Sequence, residues 1–153
     1  MNGVIRQVTE NKRDYMELLL IADEQESMVL RYLDRGEMFV LERSGKICAV
    51  CVVTDEGNSV CELKNIAVSP EFQRKGCGRE LIRFIETHYR ERFDRLIVGT
   101  GDSPLTVPFY ESCGFVRTHR VENFFTDNYD HPIFEAGIQL KDMVYFEKKL
   151  TEV

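Results

Sequence analysis

Tryptophan is absent from the 153 residues, proline occurs only 4 times, and no apolar run approaches the roughly 18 to 20 residues that a membrane span requires. The opening stretch, residues 1–10, lacks the apolar centre of a secretory signal, so the sequence reads as a cytoplasmic protein with no membrane attachment. Five cysteines, Cys48, Cys51, Cys61, Cys77 and Cys113, form an odd set in mostly apolar surroundings. That pattern favours reduced thiols used as small core residues over a disulfide framework. Cys48 and Cys51 have C-x-x-C spacing, but alternation along a strand sends them to opposite faces, and no second ligand pair accompanies them. His88, His119 and His131 share no metal spacing, so no metal site is expected.

An excess of basic charge is also lacking. Lysine and arginine total 20 against 26 aspartates and glutamates, for a net charge of −6, which argues against a general polyanion surface and against nucleic acid as a partner. The charge is uneven, however. Residues 64–83 carry Lys64, Arg74, Lys75, Arg79 and Arg83 against Glu71 and Glu80, a local excess of +3, whereas residues 122–142 carry Glu122, Asp127, Asp130, Glu135 and Asp142 against Lys141 alone, a local −4. One region suits an anion and the other a cation. With 43% hydrophobic residues, a chain of this length buries roughly 68 to 70% of its unfolded surface, enough for a single domain over residues 1–153.

The coarse order is strand, helices, three strands, helix, strand, helix, two strands. A weakly alternating strand, 4–8, precedes two helical patterns at 15–22 and 26–33, the second ended by Gly36 as a C-terminal cap. Strands 38–42, 47–54 and 60–68 are separated by short polar turns that carry Gly45 and Gly57, the chemistry of an antiparallel meander. Helix 78–90 follows, with Leu81, Ile82, Ile85, His88 and Tyr89 on one face. The apolar run 96–99 then fits a buried strand parallel to its predecessor. Ser103 and Pro104 open a helix over 104–113 and Gly114 stops it. Strands 115–121 and 143–150 close the chain. Within the gap between them, residues 122–139 are too many for an ordinary hairpin loop and rich in aromatics, hence a functional candidate.

The central motif is Asn65-Ile66-Ala67-Val68-Ser69-Pro70-Glu71-Phe72-Gln73-Arg74-Lys75-Gly76-Cys77-Gly78-Arg79: a strand, a basic glycine-bearing loop, then a helix. Unpaired N–H groups in a first helical turn, the positive end of the dipole and close backbone approach at glycine together suit a phosphate or pyrophosphate. The spacing excludes a dinucleotide fingerprint, because Leu81 stands where the third glycine is needed, and no P-loop run exists.

The remaining pattern, Q-x-x-G-x-G after Ala67-Val68-Ser69-Pro70, resembles the acyl-CoA pyrophosphate signature of the GNAT superfamily of N-acyltransferases. Phe109-Tyr110-Glu111-Ser112-Cys113-Gly114-Phe115 resembles its second signature, and the element order agrees over nearly the whole chain. The resemblance implies a mixed α/β fold: a twisted, mostly antiparallel sheet of about seven strands with a splayed central parallel pair, flanked by about four helices. It implies acetyl-CoA as co-substrate, with the backbone of Ile66, Ala67 and Val68 along the pantetheine and Gln73, Arg74, Lys75, Gly76, Cys77, Gly78 and Arg79 around the pyrophosphate. Tyr110 matches the tyrosine that protonates the departing thiolate, and Glu62 a glutamate base. Ser103 and Thr106 depart from the family's usual Asn and Ala; Ser103 retains a role as helix cap or pantetheine contact.

Each assignment has a plainer alternative: Tyr110 as a core aromatic, Glu62 as an ion-paired surface carboxylate, Cys113 as packing rather than an acyl carrier. Phe124, Phe125, Tyr129, Asp127, Asp130, His131 and Glu135 are read either as an aromatic, acidic cleft for a cationic amine or as a solvated acidic loop. The run from Phe124 to Ile138 also resembles a bacterial GNAT subgroup, which names no substrate. The expected activity is acetyl transfer to a primary amine of a small, cationic molecule by direct attack in a ternary complex. The alternatives are a non-catalytic acyl-CoA-binding module, a protein or peptide amine as acceptor, and an RNA-binding protein, the last disfavoured by the acidic balance. A homodimer is left open.

Overall fold

Three consecutive apolar runs build the centre of the structure, a computed structural model in which residues 3–150 are described. Strands β1 (Val4–Val8), β2 (Glu37–Arg43), β3 (Lys46–Asp55) and β4 (Val60–Val68) follow one another as antiparallel neighbours, with α1 (Met16–Ala22) and α2 (Glu26–Val29) between the first two. Helix α3 (Cys77–Tyr89) then carries the chain across to β5 (Arg95–Gly101), which lies parallel to β4. The remaining elements are α4 (Val107–Ser112), β6 (Val116–Val121), α5 (Phe124–Asn128), a small hairpin of β7 (Phe134–Glu135) and β8 (Ile138–Gln139), and β9 (Met143–Lys149). The main sheet has the order β1-β2-β3-β4-β5-β9-β6, the mostly antiparallel seven-stranded sheet anticipated from the sequence. No helix among the described residues is long and apolar enough to cross a membrane.

Apolar side chains fill both faces of the sheet. Leu81, Ile82, Ile85 and Tyr89 of α3 pack on one face with Phe39, Cys61, Leu63, Leu96, Tyr110 and Phe146. On the other face, Leu19 and Val29 meet Met38, Val40, Val50 and Val52. His88 is exposed rather than buried with its neighbours, its ring stacked on Phe84 at 5.4 Å. All five cysteines are free and buried, and burial pushes the thiols of Cys51 and Cys61 up to about 12, so they stay protonated.

Two bulges change what alternation predicts. In β3 the register passes from Leu41↔Ala49 to Glu42↔Ile47, leaving Cys48 as an extra residue. Cys48 and Cys51 therefore fall in the same core cluster, not on opposite faces as strict period two requires. In β4 the register passes from Val53↔Leu63 to Val52↔Asn65, leaving Lys64 extra. Cys61 and Leu63 thus pack with α3, while Asn65 turns to the α1 side and donates to the Leu19 carbonyl at 3.0 Å.

Three helical expectations shorten or shift. Helix α2 spans only Glu26–Val29 before giving way to turns. Gly36 is not a left-handed cap, having no positive φ; a Cβ there would lie 2.5 Å from Val52 Cγ1 and 2.9 Å from the Tyr32 carbonyl oxygen. Helix α4 begins at Val107, because residues 104–106 form a turn in which Ser103 Oγ accepts from the Leu105 N–H at 3.1 Å. The segment expected as one long loop contains α5 and the β7–β8 hairpin, a fifth helix beyond the four anticipated.

Because the backbone carbonyl of Tyr32 cannot yield as a side chain would, Gly36→Ala is expected to cost about 1 to 3 kcal/mol. Thermal unfolding should show a midpoint lowered by about 3 to 10 °C, and an unchanged midpoint would mean that the turn relaxes freely.

Candidate active site

The parallel pairing of β4 with β5 lasts only from Val60↔Arg95 to Leu63↔Val98. Beyond that point β4 continues to Val68 and β5 to Gly101 without pairing to each other, so the facing backbone groups lack a ladder partner. The gap between them is a cavity of about 610 Å³, walled by residues 63–68 of β4 and 98–101 of β5. Ile66, Ala67 and Val68 all line it.

One end of the cavity meets the basic loop. Arg74 and Gly76 both adopt positive φ, at 64° and 83°, a conformation that costs an ordinary L residue roughly 1 to 2 kcal/mol. This turns the chain into α3, whose first helical bond is Glu80 N–H to the Gly76 carbonyl at 3.0 Å. The backbone N–H groups of the turn before it are open to an anion. A Cβ on Gly76 would meet nothing within 4 Å, whereas one on Gly78 would lie 3.2 Å from Phe109 Cζ, so Gly78 allows α4 to pack close to the start of α3.

The side chains of the loop divide in role. Gln73 and Arg74 line the cavity, and Gln73 Nε2 donates to the Val68 carbonyl at 3.1 Å, tying the loop to the end of β4. Arg79 donates to Ser112 Oγ at 2.8 Å and to its carbonyl at 3.2 Å, which holds it against α4. Lys75 is exposed, with its ammonium 5.7 Å from the Phe72 ring centre, and the Cys77 side chain is in the core. Arg43, which the sequence did not single out, braces the loop by donating to the Lys75 carbonyl at 3.3 Å and to Glu80 Oε1 at 2.7 Å.

Tyr110 stands in the wall of the cavity, packed on Phe109, Phe115 and Phe146. Its hydroxyl has no hydrogen-bond partner among the described residues, and burial raises its pKa, so it holds its proton at neutral pH. Cys113 is buried in the core and does not line the cavity.

Glu62 is outside the cavity wall. Buried at 6% exposure, it pairs with Lys64 at 3.2 Å and accepts from the Tyr145 hydroxyl at 3.4 Å. Burial raises its pKa, against the opposing pull of Lys64. Lys64 and Leu63, its neighbours in the strand, do line the cavity. Ser103 is buried and also outside the wall, its Oγ capping the turn by accepting from the Leu105 N–H, and it opposes the rise in the Glu135 pKa.

The far end is closed by the segment 122–142. Phe125, Tyr129 and Glu135 line the cavity, joined by Ile133, Phe134 and Leu140; Phe124, Asp127, Asp130 and His131 do not. Phe124 packs against Phe125 and Tyr129. Across the opening, Tyr129 donates to Asp23 Oδ1 at 2.5 Å, the Asp130 N–H to Gln25 Oε1 at 2.9 Å, and His131 Nε2 lies 3.0 Å from Glu24 Oε1. Asp23 and Glu24 also line the cavity and were missed in the sequence, where an Asp-Glu pair after a short helix reads as an ordinary solvated turn. Burial raises the pKa of both Asp23 and Glu135, and neither has an ion-pair partner among the described residues.

Residues 34–117 match the family described as acetyltransferase (GNAT) domain. A relative from Bacillus subtilis (strain 168), named as the uncharacterized N-acetyltransferase YvbK, is 35% identical over 137 residues, covering 88% of each chain. Among solved structures, a GNAT family acetyltransferase from Elizabethkingia anophelis with acetyl-CoA bound superposes with a TM-score of 0.92 at 31% identity, over 97% of this chain and 98% of that one. An IAA acetyltransferase from Bacillus cereus ATCC 14579 superposes with a TM-score of 0.90 at 30% identity, over 97% and 99%.

The loop geometry makes Gly76→Glu a direct test of the anion end. The substitution adds a negative charge in the open space before α3 and, at a positive φ, strains the loop by about 1 to 2 kcal/mol without touching the core, so titration calorimetry should show acetyl-CoA affinity reduced at least about 100-fold in a protein that still unfolds cooperatively. Retained affinity would place the pyrophosphate elsewhere.

Proposed function

We propose, because this chain belongs to the GNAT acetyltransferase family, that it moves the acetyl group of acetyl-CoA onto the primary amine of a small, cationic acceptor by direct attack in a ternary complex. The observation that carries the reading is the single cavity running from the basic loop before α3, along the unpaired stretch of β4, to Tyr110 and the acidic segment beyond. A donor laid along it has its phosphates at the positive helix end, its pantetheine amides beside Ile66, Ala67 and Val68, and its thioester near Tyr110.

In this scheme the acceptor nitrogen attacks the thioester carbonyl carbon, forming the C–N bond. Free backbone N–H groups of the parted strand stabilise the oxyanion of the tetrahedral intermediate. The C–S bond then breaks, the departing thiolate takes the Tyr110 proton, and the surplus proton on the new amide nitrogen passes to the phenolate and restores Tyr110. An alkyl ammonium with a pKa near ~10 must first lose a proton, and Glu62 receives it through bound water, since its carboxylate is set behind Lys64 rather than in the wall. The tie of segment 122–142 to residues 23–25 encloses the acceptor end, which favours a small molecule over a peptide. The unpaired carboxylates of Asp23 and Glu135 favour a cation.

The non-catalytic alternative is separated at Tyr110. Tyr110→Phe is expected to lower kcat by about 100-fold or more while calorimetry shows acetyl-CoA affinity little changed; unchanged turnover would remove Tyr110 from its role. Acceptors for the assay should include amino acids, polyamines and IAA, for which the Bacillus cereus neighbour is named.

The base assignment has its own signature. Glu62 is active when ionised and burial raises its pKa, so kcat/KM should fall with acid through a midpoint above the ordinary glutamate value of about 4.3. Glu62→Gln should lower turnover and flatten that acid limb, leaving the alkaline rise that comes from the amine itself. A profile that kept its acid limb in this variant would assign the base elsewhere.

A further inference from the structure

The acceptor end holds two unpaired carboxylates, not one, and they differ in surroundings. Glu135, on β7, lines the same cavity as Tyr110, and its charge helps to raise the pKa of that phenol, so it is assigned to the reacting end. Asp23, following α1, is built into a separate polar relay. Asn65 Nδ2 donates to Tyr32 Oη at 3.0 Å, Tyr32 Oη donates to Asp23 Oδ2 at 2.9 Å, and Tyr129 Oη donates to Asp23 Oδ1 at 2.5 Å. Two phenols hold the carboxylate in place without neutralising it. Arg31 acts on Asp23 only at longer range, and Lys64, the cavity's nearby cation, is committed to Glu62.

A second observation comes from the same wall. Asn65 is 4% exposed and lines the cavity, yet its Oδ1 has no hydrogen-bond partner among the described residues. A buried amide oxygen left without a donor is costly. The Nδ2 of the same amide is already spent on the Leu19 carbonyl and on Tyr32, which anchors the side chain beside the Asp23 relay and leaves Oδ1 as its open acceptor.

We infer that Asp23 seats a second cationic group of the acceptor, an ammonium whose N–H groups meet the Asp23 carboxylate and, directly or through water, Asn65 Oδ1. The acceptor class is therefore a diamine: one amine reacts beside Tyr110 and Glu135, and a second, which stays protonated, is held at Asp23. Tyr129 comes from the segment that closes the cavity, so the seat is complete only when that segment is docked on residues 23–25. The inference rests on the acetyltransferase reading and sharpens its acceptor.

The test compares 1,4-diaminobutane with 4-amino-1-butanol, equal in length and differing in the second cation. Wild-type kcat/KM should favour the diamine by about 10- to 100-fold, the range of one charge-assisted hydrogen-bonded contact. In Asp23→Asn that ratio should collapse toward one, and Asp23→Glu should restore part of it; cooperative unfolding of both variants checks that they are folded. Acetylation of both amines by wild type without preference overturns the second seat while leaving the acetyltransferase reading in place, and needs no variant to fold. A preference that survives in Asp23→Asn overturns the assignment of Asp23. Failure to acetylate any amine in a protein that binds acetyl-CoA overturns both readings together.

Discussion

The parting of β4 from β5 after four paired residues is the constraint on which the rest of the structure depends. A parallel pair buried at the centre of a sheet ordinarily satisfies its backbone groups along its whole length. Here the bulge at Lys64 turns β4 out of register just where pairing ends, and the exposed edges of both strands become walls instead of a ladder. The unsatisfied backbone groups then suit a ligand rich in amides and carbonyls that would act as a substitute strand, as the proposed donor does. The helix behind β4 starts at the mouth of the same gap, so the anion end of the site follows from topology, not from an added feature.

Charge is organised along that gap by a simple division. Charged side chains that brace the fold are in ion pairs: Arg43 with Glu80, Lys148 with Glu86, Arg120 with Asp142. Several of those at the cavity or its loop are held by neutral partners or by none, although Lys64 and Glu24, which also line the cavity, pair with Glu62 and His131. Arg79 leans on a serine, and Asp23 on two tyrosines; Arg74 has no ion-pair partner among the described residues. A neutral hydrogen-bond partner fixes the geometry of a charge while leaving its field available, whereas an ion pair would cancel the field that recognition needs.

Much of this was legible in the sequence because it depends on local chemistry. The basic glycine loop after Val68, the tyrosine before Gly114, the strand order and the core cysteines all announce themselves within windows of ten or fifteen residues. What escaped depends on contacts far apart in the chain. Asp23 acquires its meaning from Tyr129, 106 positions away, and no periodicity in residues 15–33 hints at that partner. Cys48 faces the core beside Cys51 because of a bulge, and bulges leave no mark on an alternating apolar run. Ser103 looked like the cap of α4, and the helix starts later because the turn at Pro104 to Thr106 is closed by the same serine.

The acidic end raises one further point of physics. Asp23, Glu24 and Glu135 share one cavity, and burial together with mutual repulsion raises the pKa values of Asp23 and Glu135. Segment 122–142 contributes to that burial, since Tyr129 and Glu135 come from it, and gathering buried like charges costs free energy unless something offsets it. The offset is distributed: Tyr129 and Tyr32 donate to Asp23, Ser103 opposes the rise in the Glu135 pKa, and His131, whose pKa is raised by Asp130 and then Glu24, lies against Glu24 at the rim. Among the described residues, the rim carboxylate alone of the three is in an ion pair. The two inner carboxylates are left with neutral donors, so this end of the cavity carries uncompensated negative charge, the condition under which a cationic ligand would be favoured there.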